Sequence, residues 1–533
     1  MNALKRIALV GLPGSGKSSV APLLARRLGW RCVDTDATVE LERGVPVQVI
    51  FAHEGEDAFR AAELQALQTS LAVPEPSVVA CGGGLMAQEE ARRMLLDGAC
   101  VVWLDAPDDV LLTRVVAGAE RPLLAPDPAR RLAQLRSQRN SAYSRSHLRI
   151  STAGVSPEAV AERLASALGG SVPVPVPGRA YHVAVGAGTV ADVSLHLPPA
   201  ATRAAIVADS AVAPLAAALR DTLLDAGLDV ALLPLSGGEG VKTWEQAGRL
   251  HTALSELGLE RKDCLVAIGG GTVGDLAGFV AATYLRGIAW INVPTTLLAM
   301  VDSAIGGKTG VNLPRGKNLA GAIWQPRAVI CDTDVLATLP QRAFRSAFAE
   351  IVKYAMIVED GCYPALRRLD VELDPLLRKD TSALPAIVRE CVAVKGEVVA
   401  SDERESGLRA VLNYGHTVGH ALETLTGFGD ALWHGEAIAV GMRVAGLLSV
   451  RQLGCPQDHI EWQNELLERC DLRSLPAVPP ERVMELLPSD KKASGGRVGW
   501  VLLEARGRPR VAQPVPDALV RETLKEALPA NAR

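Results

Sequence analysis

Short apolar runs alternate with amphipathic stretches through the first 170 residues. Ile7–Val10, Ser77–Ala80 and Ala99–Leu104 read as buried strands, and Ser18–Leu28 and Ala87–Leu96 carry apolar residues at helical spacing. Pro157–Leu168 has the same helical spacing and closes this stretch. Strands alternating with helices predict a parallel sheet covered on both faces. After the strand and turn of Tyr181–Gly188 the alternation resumes, with strands at Ala204–Ala208, Val230–Pro234, Cys264–Ile268, Trp290–Val293 and Ala328–Asp332. Beyond Pro340 the pattern turns helical and stays so to the end. Between the two alternating stretches lies Val172-Pro173-Val174-Pro175-Val176-Pro177-Gly178. Alternating proline blocks helix and predicts an extended, semi-rigid spacer. The chain thus divides into an α/β domain over 1–170, a proline-rich linker over 171–178, an α/β subdomain over 179–340 and a helical subdomain over 341–533.

Composition narrows the class. The chain has 533 residues, 48% hydrophobic and 22% charged, an ordinary globular balance that excludes disorder, collagen and a disulfide scaffold. A net charge of −4 with 4% aromatics gives no electrostatic or stacking reason to expect nucleic acid, nor attraction to an anionic membrane. Nine scattered cysteines without a C-x-x-C pair read as reduced thiols and a cytoplasmic setting. The apolar start of the chain stops at glycine-rich sequence, so no signal peptide is expected. Leu265–Leu285 holds Asp275 and several glycines and reads as strand, loop and helix rather than a membrane span.

Gly11-Leu12-Pro13-Gly14-Ser15-Gly16-Lys17-Ser18 fits the phosphate-binding loop, with a strand before it and a helix after it. Glycines let backbone N–H groups turn inward around phosphate oxygens, Lys17 neutralises the β- and γ-phosphates, and Ser18 can ligate Mg²⁺. Three features point to an acceptor: Asp34-Thr35-Asp36 ends a second strand, Arg60 starts a helix after Phe51-Ala52-His53-Glu54-Gly55-Glu56, and Gly82-Gly83-Gly84 follows a strand. From Ile7 to about Leu168 the chain resembles shikimate kinase. The resemblance implies a P-loop-type parallel sheet holding ATP with Mg²⁺ on Gly14, Ser15, Gly16, Lys17, Ser18 and Ser19. It gives Mg²⁺ to Ser18 and Asp34, the acceptor hydroxyl to Asp36, and the shikimate carboxylate to Arg60 and Arg139. Gly83 would lie against the ring, and Arg121 would reach ATP from a lid. Fork-shaped arginine donors suit a small carboxylate. The chain departs from the family at Thr152-Ala153-Gly154-Val155, where a basic or polar residue often stands near the adenine.

In the second part, Cys264–Gly269 leads into Gly270-Gly271-Thr272-Val273-Gly274-Asp275, a strand, a glycine loop and a helix start able to cradle a pyrophosphate. Thr295-Thr296 ends another strand. Asp302-Ser303-Ala304-Ile305-Gly306-Gly307-Lys308 and Gly316-Lys317-Asn318 form a polar, glycine-rich run that offers cations to an anionic ligand. Glu350 and Lys353 share a helix face, His416 and His420 stand one turn apart, and His434 follows. Two histidines at i, i+4 with nearby carboxylates favour a catalytic ion. Spacing alone does not choose among His416, His420, His434, Glu350, Glu423 and Glu436.

These motifs resemble 3-dehydroquinate synthase from about Tyr181 to Pro529. The resemblance implies an NAD-binding α/β subdomain followed by a helical metal-binding one. It makes Glu350, His416 and His434 the ligands of one divalent metal, Zn²⁺ or Co²⁺. NAD⁺ would use Asp209, Glu239, Lys242, Gly271, Thr272, Val273, Gly274, Asp275, Thr295, Thr296, Lys308 and Lys317. Asp302, Lys353, Lys395 and His420 would act on the substrate, and Asn318, Arg409, Asn413, Arg286 and Lys491 would bind it. Gly237-Gly238-Glu239-Gly240-Val241-Lys242 departs from the bulkier family pattern while keeping the acid and the lysine.

The joint expectation is a bifunctional enzyme of small-molecule aromatic biosynthesis, dimeric through its second half. Two other readings stand beside it. One half could be a regulatory or scaffolding module, against which the retained Lys17, Asp36, Arg60, Arg139, Glu350, Lys353, His416 and His434 argue. The metal half could be a polyol dehydrogenase, against which the lysines after Thr296 argue, since a neutral polyol needs no such charge.

Overall fold

The computed structural model describes residues 4–117, 127–359, 361–405, 407–427, 431–472, 478–487 and 499–528. Its first sheet contains β1 (Arg6–Val10), β2 (Arg31–Asp34), β3 (Ser77–Ala80), β4 (Cys100–Asp105) and β5 (Leu148–Ser151). They are ordered β2-β3-β1-β4-β5, and every neighbouring pair is parallel. Successive side chains point to opposite faces and build two cores. Ile7, Leu9, Val102 and Leu104 pack under the helices Lys17–Leu28 and Pro157–Leu168. Ala8, Val10, Val101 and Trp103 pack on the other side with Leu132 and Leu135.

The second sheet takes β6 (Val172–Val174), β7 (Tyr181–Gly186), β8 (Arg203–Asp209), β9 (Asp229–Leu235), β10 (Cys264–Gly269) and β11 (Ala289–Pro294). The chain then makes a separate hairpin of β12 (Lys308–Leu313) and β13 (Gly316–Ile323) before β14 (Ala328–Asp332) returns to the sheet. The order is β6-β7-β14-β11-β10-β8-β9, with only β6 antiparallel. Helices Phe348–Ile357, Leu384–Ser401, His416–Leu425 and His434–Leu453 form the body of the last subdomain. The class is α/β, as expected, with a helical end.

Three expectations need correction. The proline-rich segment is not a spacer: Val172–Val174 pair with Tyr181–Val183, and Val172, Val174 and Val176 are buried in the core of the second half. Proline is tolerated there because β6 is an edge strand, whose unpaired side needs no N–H. The polar run after Asp302 is the hairpin β12–β13, its register broken by a bulge near Asn312. The end of the chain is not all helix: β15 (Trp500–Ala505) and β16 (Arg508–Gln513) form a hairpin around Gly507, which has φ of 81°. Trp500, Leu502 and Leu503 of that hairpin fill the helical core. Among the described residues no helix is long and apolar enough to cross a membrane.

Candidate functional sites

The first site sits at the carboxyl ends of β1, β2 and β3. β1 runs into Gly11, and the loop opens helix Lys17–Leu28. Gly14 has φ of 81°, and a Cβ there would stand 2.8 Å from the Leu111 carbonyl, so only glycine lets the loop close under its neighbour. Lys17 Nζ donates to the carbonyls of Gly11 at 2.8 Å and Leu12 at 3.2 Å, curled over the loop. Ser18 Oγ lies 3.1 Å from Asp34 Oδ2, so hydroxyl and carboxylate meet where a hard cation could bridge them. The other Asp34 oxygen caps the next helix, accepting from the N–H groups of Asp36 and Ala37 at 3.0 and 3.3 Å.

Asp36 and Arg60 face that loop across a cavity of about 580 Å³ that Lys17, Gly83 and Arg139 also line. Arg60 binds Glu63 at 2.7 Å and Glu56 at 3.0 Å. Burial lifts the Glu63 carboxyl to about 7 against the pull of Arg60. Arg139 Nη1 and Tyr143 Oη, one helical turn apart, both donate to the Gly83 carbonyl at 2.7 Å. Gly82 must be bare, because its Cβ would fall 1.8 Å from Glu63 Oε1 and 2.5 Å from Asp36 Oδ1. The structure therefore brings Gly14 through Ser19, Asp34, Asp36, Arg60, Gly83 and Arg139 together. Arg121 lies outside the described residues. Sequence reasoning passed over Glu63, which the i, i+3 spacing from Arg60 could have revealed. It also missed Arg114, whose contact with Gly14 spans a hundred positions and has no local signal.

The second site follows the same logic. Asp209 ends β8, the helix Gly271–Thr283 starts just after β10, and Thr295 and Thr296 follow β11. These are carboxyl ends of adjacent parallel strands, the crevice where open α/β sheets bind ligands. Asp209 accepts from the Ala211 N–H at 2.9 Å. The Thr295 N–H donates to the Gly269 carbonyl at 2.9 Å, and Thr296 Oγ1 accepts from Ala299 at 3.2 Å. Glu239 accepts from Thr272 Oγ1 at 3.1 Å and from Asn312 Nδ2 at 2.8 Å. Buried Lys242 pairs with Asp275. Val273 and Gly274 belong to the first turn of that helix, where a Cβ on Gly274 would meet Asn292 at 3.1 Å.

At the helical end, Glu350 Oε1 lies 3.4 Å from His416 Nε2 and 3.5 Å from His434 Nε2. Of the chain's described residues, only this trio and a second cluster at Cys100 converge closely enough to hold a cation. His416 Nδ1 lies 3.2 Å from the Tyr414 carbonyl and His434 Nδ1 lies 3.4 Å from Glu423 Oε1. Those outer contacts orient both rings so that their Nε2 atoms face Glu350. Neither Glu350 oxygen accepts a normal hydrogen bond, although both are fully buried beside Lys353. Burial would raise the Glu350 carboxyl, but Lys353 and His416 outweigh it and hold the group at about 2. Burial opposes charge on His434 as well, and Glu350 and Glu423 overcome it, lifting the ring to about 10. A carboxylate oxygen and two imidazole nitrogens converging in a buried pocket suit a divalent metal, whose binding would displace the His434 proton.

His420 lies edge-on to His416, with ring centroids 5.3 Å apart. Glu436 turns away to Arg342 and to the Trp433 N–H. Lys395 Nζ binds Asp302 Oδ1 at 2.6 Å and its carbonyl at 2.7 Å, and Tyr354 Oη donates to Oδ1 at 3.1 Å. Lys395 and Lys353 hold the Asp302 carboxyl well below its usual range despite burial. Arg409 Nη1 donates to the Glu403 carbonyl at 2.7 Å, Asn413 Nδ2 reaches Glu405 at 3.4 Å, and Lys308 pairs with the same Glu405. The Asn318 N–H donates to Asn312 at 3.0 Å, and the charge of Lys317 acts on Glu423. Arg286 is not brought to the crevice: it is exposed at the far end of the helix Gly271–Thr283 from the glycine turn. That helix separates the two by about 20 Å. Lys491 lies outside the described residues.

Three family models match the chain in order: shikimate kinase over residues 13–169, the N-terminal domain of 3-dehydroquinate synthase over 232–346, and its C-terminal domain over 347–493. The 3-dehydroquinate synthase of Halorhodospira halophila is 45% identical over 352 residues, 66% of this chain and 97% of that protein. That of Geobacter metallireducens is 46% identical over 300 residues, 56% of this chain and 82% of the relative. A crystal structure of 2-deoxy-scyllo-inosose synthase with carbaglucose-6-phosphate, NAD⁺ and Co²⁺ is 29% identical. It aligns with a TM-score of 0.62 over 67% of this chain and 100% of its own.

Proposed function

The chain belongs to the 3-dehydroquinate synthase family, carries a shikimate kinase domain ahead of it, and is a kinase and a cyclising lyase in one polypeptide; from that premise we propose its two reactions. The first half transfers the γ-phosphoryl group of ATP to a hydroxyl of shikimate. The second converts 3-deoxy-D-arabino-heptulosonate 7-phosphate to 3-dehydroquinate and phosphate, with NAD⁺ and a divalent metal.

In the kinase half, the backbone N–H groups of Gly14–Ser19 and the Lys17 ammonium hold the phosphates, and Ser18 with Asp34 would hold Mg²⁺, which spreads the charge of the transferring group. Asp36 takes the proton of the attacking hydroxyl. Arg60 and Arg139 fix the substrate carboxylate by forked donation.

In the synthase half, Glu350, His416 and His434 would hold Zn²⁺ or Co²⁺, which lowers the pKa of the hydroxyl to be oxidised and polarises the resulting carbonyl. The crevice between Asp209, the glycine turn and Thr295-Thr296 would hold NAD⁺, the hydride acceptor that is restored within each turnover. Lys353 and Lys395 neutralise the substrate's anionic groups, with Arg409, Asn413, Asn318 and Lys308 around them. His420, edge-on to His416, would move a proton of the substrate. The reading rests above all on the buried Glu350 carboxylate faced by two Nε2 atoms beside Lys353.

The test is to assay both reactions on the full chain. Phosphate release from the heptulosonate phosphate should require NAD⁺ and metal, and ADP should form only with shikimate present. Lys17→Ala should abolish shikimate phosphorylation alone and His434→Ala the cyclisation alone. Hydride transfer from glycerol or another neutral polyol, without phosphate release, would favour the dehydrogenase reading instead.

A further inference from the structure

The two halves share an interface that the separate motif sets do not predict. β5 is the open edge of the first sheet, and the 3-10 segment Thr189–His196 of the second half covers it. Leu195 of that segment is buried in the kinase core beside Leu148, Val160 and Leu164. Arg327, at the start of β14, donates Nη2 to the Ser146 carbonyl of the first half at 2.7 Å and Nε to the His196 carbonyl of the second at 2.6 Å. His147 and His182 meet edge to face at 4.7 Å across the seam. No slack separates the halves: a Cβ on Gly170 would fall 2.2 Å from the Val185 carbonyl. Cys100, His147 and His182 come close enough to suggest a metal, but the Val101 N–H donates to His147 Nδ1 at 3.0 Å and the other nitrogen faces the Ala180 backbone. No lone pair of that ring is left for a cation.

What the seam pins is the strand that ends at the nucleotide side of the kinase cavity. Arg149, in β5, donates Nη1 to the Pro199 carbonyl of the second half at 3.0 Å. Its Nη2 and Nε both bind Asp105 Oδ2, at 2.8 and 3.2 Å. Asp105 closes on Thr152, whose N–H and hydroxyl donate to its carbonyl at 2.8 and 3.3 Å. Thr152 in turn accepts from Arg114, at 2.9 Å on the hydroxyl and 2.6 Å on the carbonyl. Arg114 Nη1 also reaches the Gly14 carbonyl of the phosphate loop at 3.3 Å. Arg114, Thr152 and Val155 line the cavity. On the acceptor side, Arg60 and Glu63 stand on the helix Gly55–Ala72 and Asp36 on Thr35–Arg43; the helix of Arg139 meets this chain of bonds only at Asp105, through Arg136 at 3.2 Å, a bond that the loss of Arg149 or Arg327 leaves in place.

We propose that the second half sets the nucleotide affinity of the first, with Arg149 and Arg327 as positioning residues that tie β5 to the body of the second half. The inference rests on the kinase reading above. It implies that weakening the seam loosens the loop Thr152–Val155 and the backbone of Gly14 together. Nucleotide binding then falls and shikimate binding holds.

The test uses the full chain and three variants: Arg149→Ala, Arg149→Lys and Arg327→Met. The last lies wholly in the second half and touches no kinase site residue. Mg·ADP affinity is read by titration calorimetry, beside KM for ATP and for shikimate and the thermal midpoint. Arg149→Ala and Arg327→Met should weaken Mg·ADP about three- to tenfold, with shikimate KM changed less than about twofold. Arg149→Lys should recover part of the loss. Unchanged Mg·ADP affinity in both variants overturns the inference, as does a parallel rise of both KM values, which marks general destabilisation. If Arg327→Met does not fold, the exposed Arg149 variants carry the test alone. A parent chain that binds no Mg·ADP would instead refute the kinase reading.

Discussion

His434 Nδ1 faces Glu423 Oε1 at 3.4 Å, while the opposite nitrogen of the same ring faces Glu350. This pairing bears on the choice that spacing left open among three histidines and three acids, because it turns Glu423 to the far nitrogen of His434. On the proposed reading Glu423 would stand as the carboxylate behind a ligand rather than as a ligand. Glu423→Gln should therefore keep the fold and lower metal affinity about 10- to 100-fold, measured by competition with a chelator. His434→Ala should strip the metal and abolish cyclisation. His420→Ala should retain the metal and lose rate. Metal loss from His420→Ala with retention in His434→Ala would make the i, i+4 pair the ligands.

Arg60 is held by Glu56 and Glu63 before any substrate arrives, so its guanidinium plane is set in advance. Arg60→Lys keeps the charge and loses the fork. Shikimate KM should rise by an order of magnitude, roughly the worth of one charged hydrogen bond. ATP KM should stay within about twofold of the parent. The reverse pattern in steady-state kinetics would move Arg60 to the nucleotide side.

The helices that carry His416 and His434 meet through glycine. A Cβ on Gly441 would fall 1.8 Å from the Gly415 carbonyl, one residue before His416. Gly441→Ala must push the helix His434–Leu453 off the helix His416–Leu425, which parts His434 from His416. A loss of about 1–3 kcal/mol in chemical unfolding should result, together with weaker metal retention. Full metal affinity in a folded Gly441→Ala protein would show that the helices can slide without moving their histidines.

The strands were legible because parallel strands buried on both faces read as unbroken apolar runs, as in Cys264–Gly269. The helix Pro157–Leu168 was legible from its periodicity and its proline start. The segment Val172–Val176 misled because proline content describes what a strand cannot donate, not whether its valines find a core. The hairpin β12–β13 hid behind glycines and lysines that suit a ligand loop equally well. The phosphate loop was legible because its chemistry is local. Glu63, Arg114 and the seam were not, since each depends on a neighbour chosen by the tertiary fold.

The seam should also respond to acid. His182 is buried with its Nδ1 lacking a partner, and burial lowers its pKa from 6.5 to about 4. His196 falls to about 3 through burial and Arg327, and burial with His182 and Arg327 holds His147 well below its ordinary value too. All three thus stay neutral in the folded chain while their unfolded counterparts protonate near 6.5. Between pH 6.5 and about 4 the unfolded state binds more protons, so stability rises with pH there and is lost as pH falls toward 4. Cys100 and Arg327 are the other groups facing these rings, and neither supplies a compensating negative charge: burial raises the Cys100 thiol far above its usual range. His182→Phe keeps an aromatic ring against His147 and removes one of the titrating groups. The thermal midpoint of the parent should drop more steeply between pH 7 and pH 4.5 than that of His182→Phe, read by scanning calorimetry on both. Parallel slopes would mean that His182 already carries its proton in the folded seam.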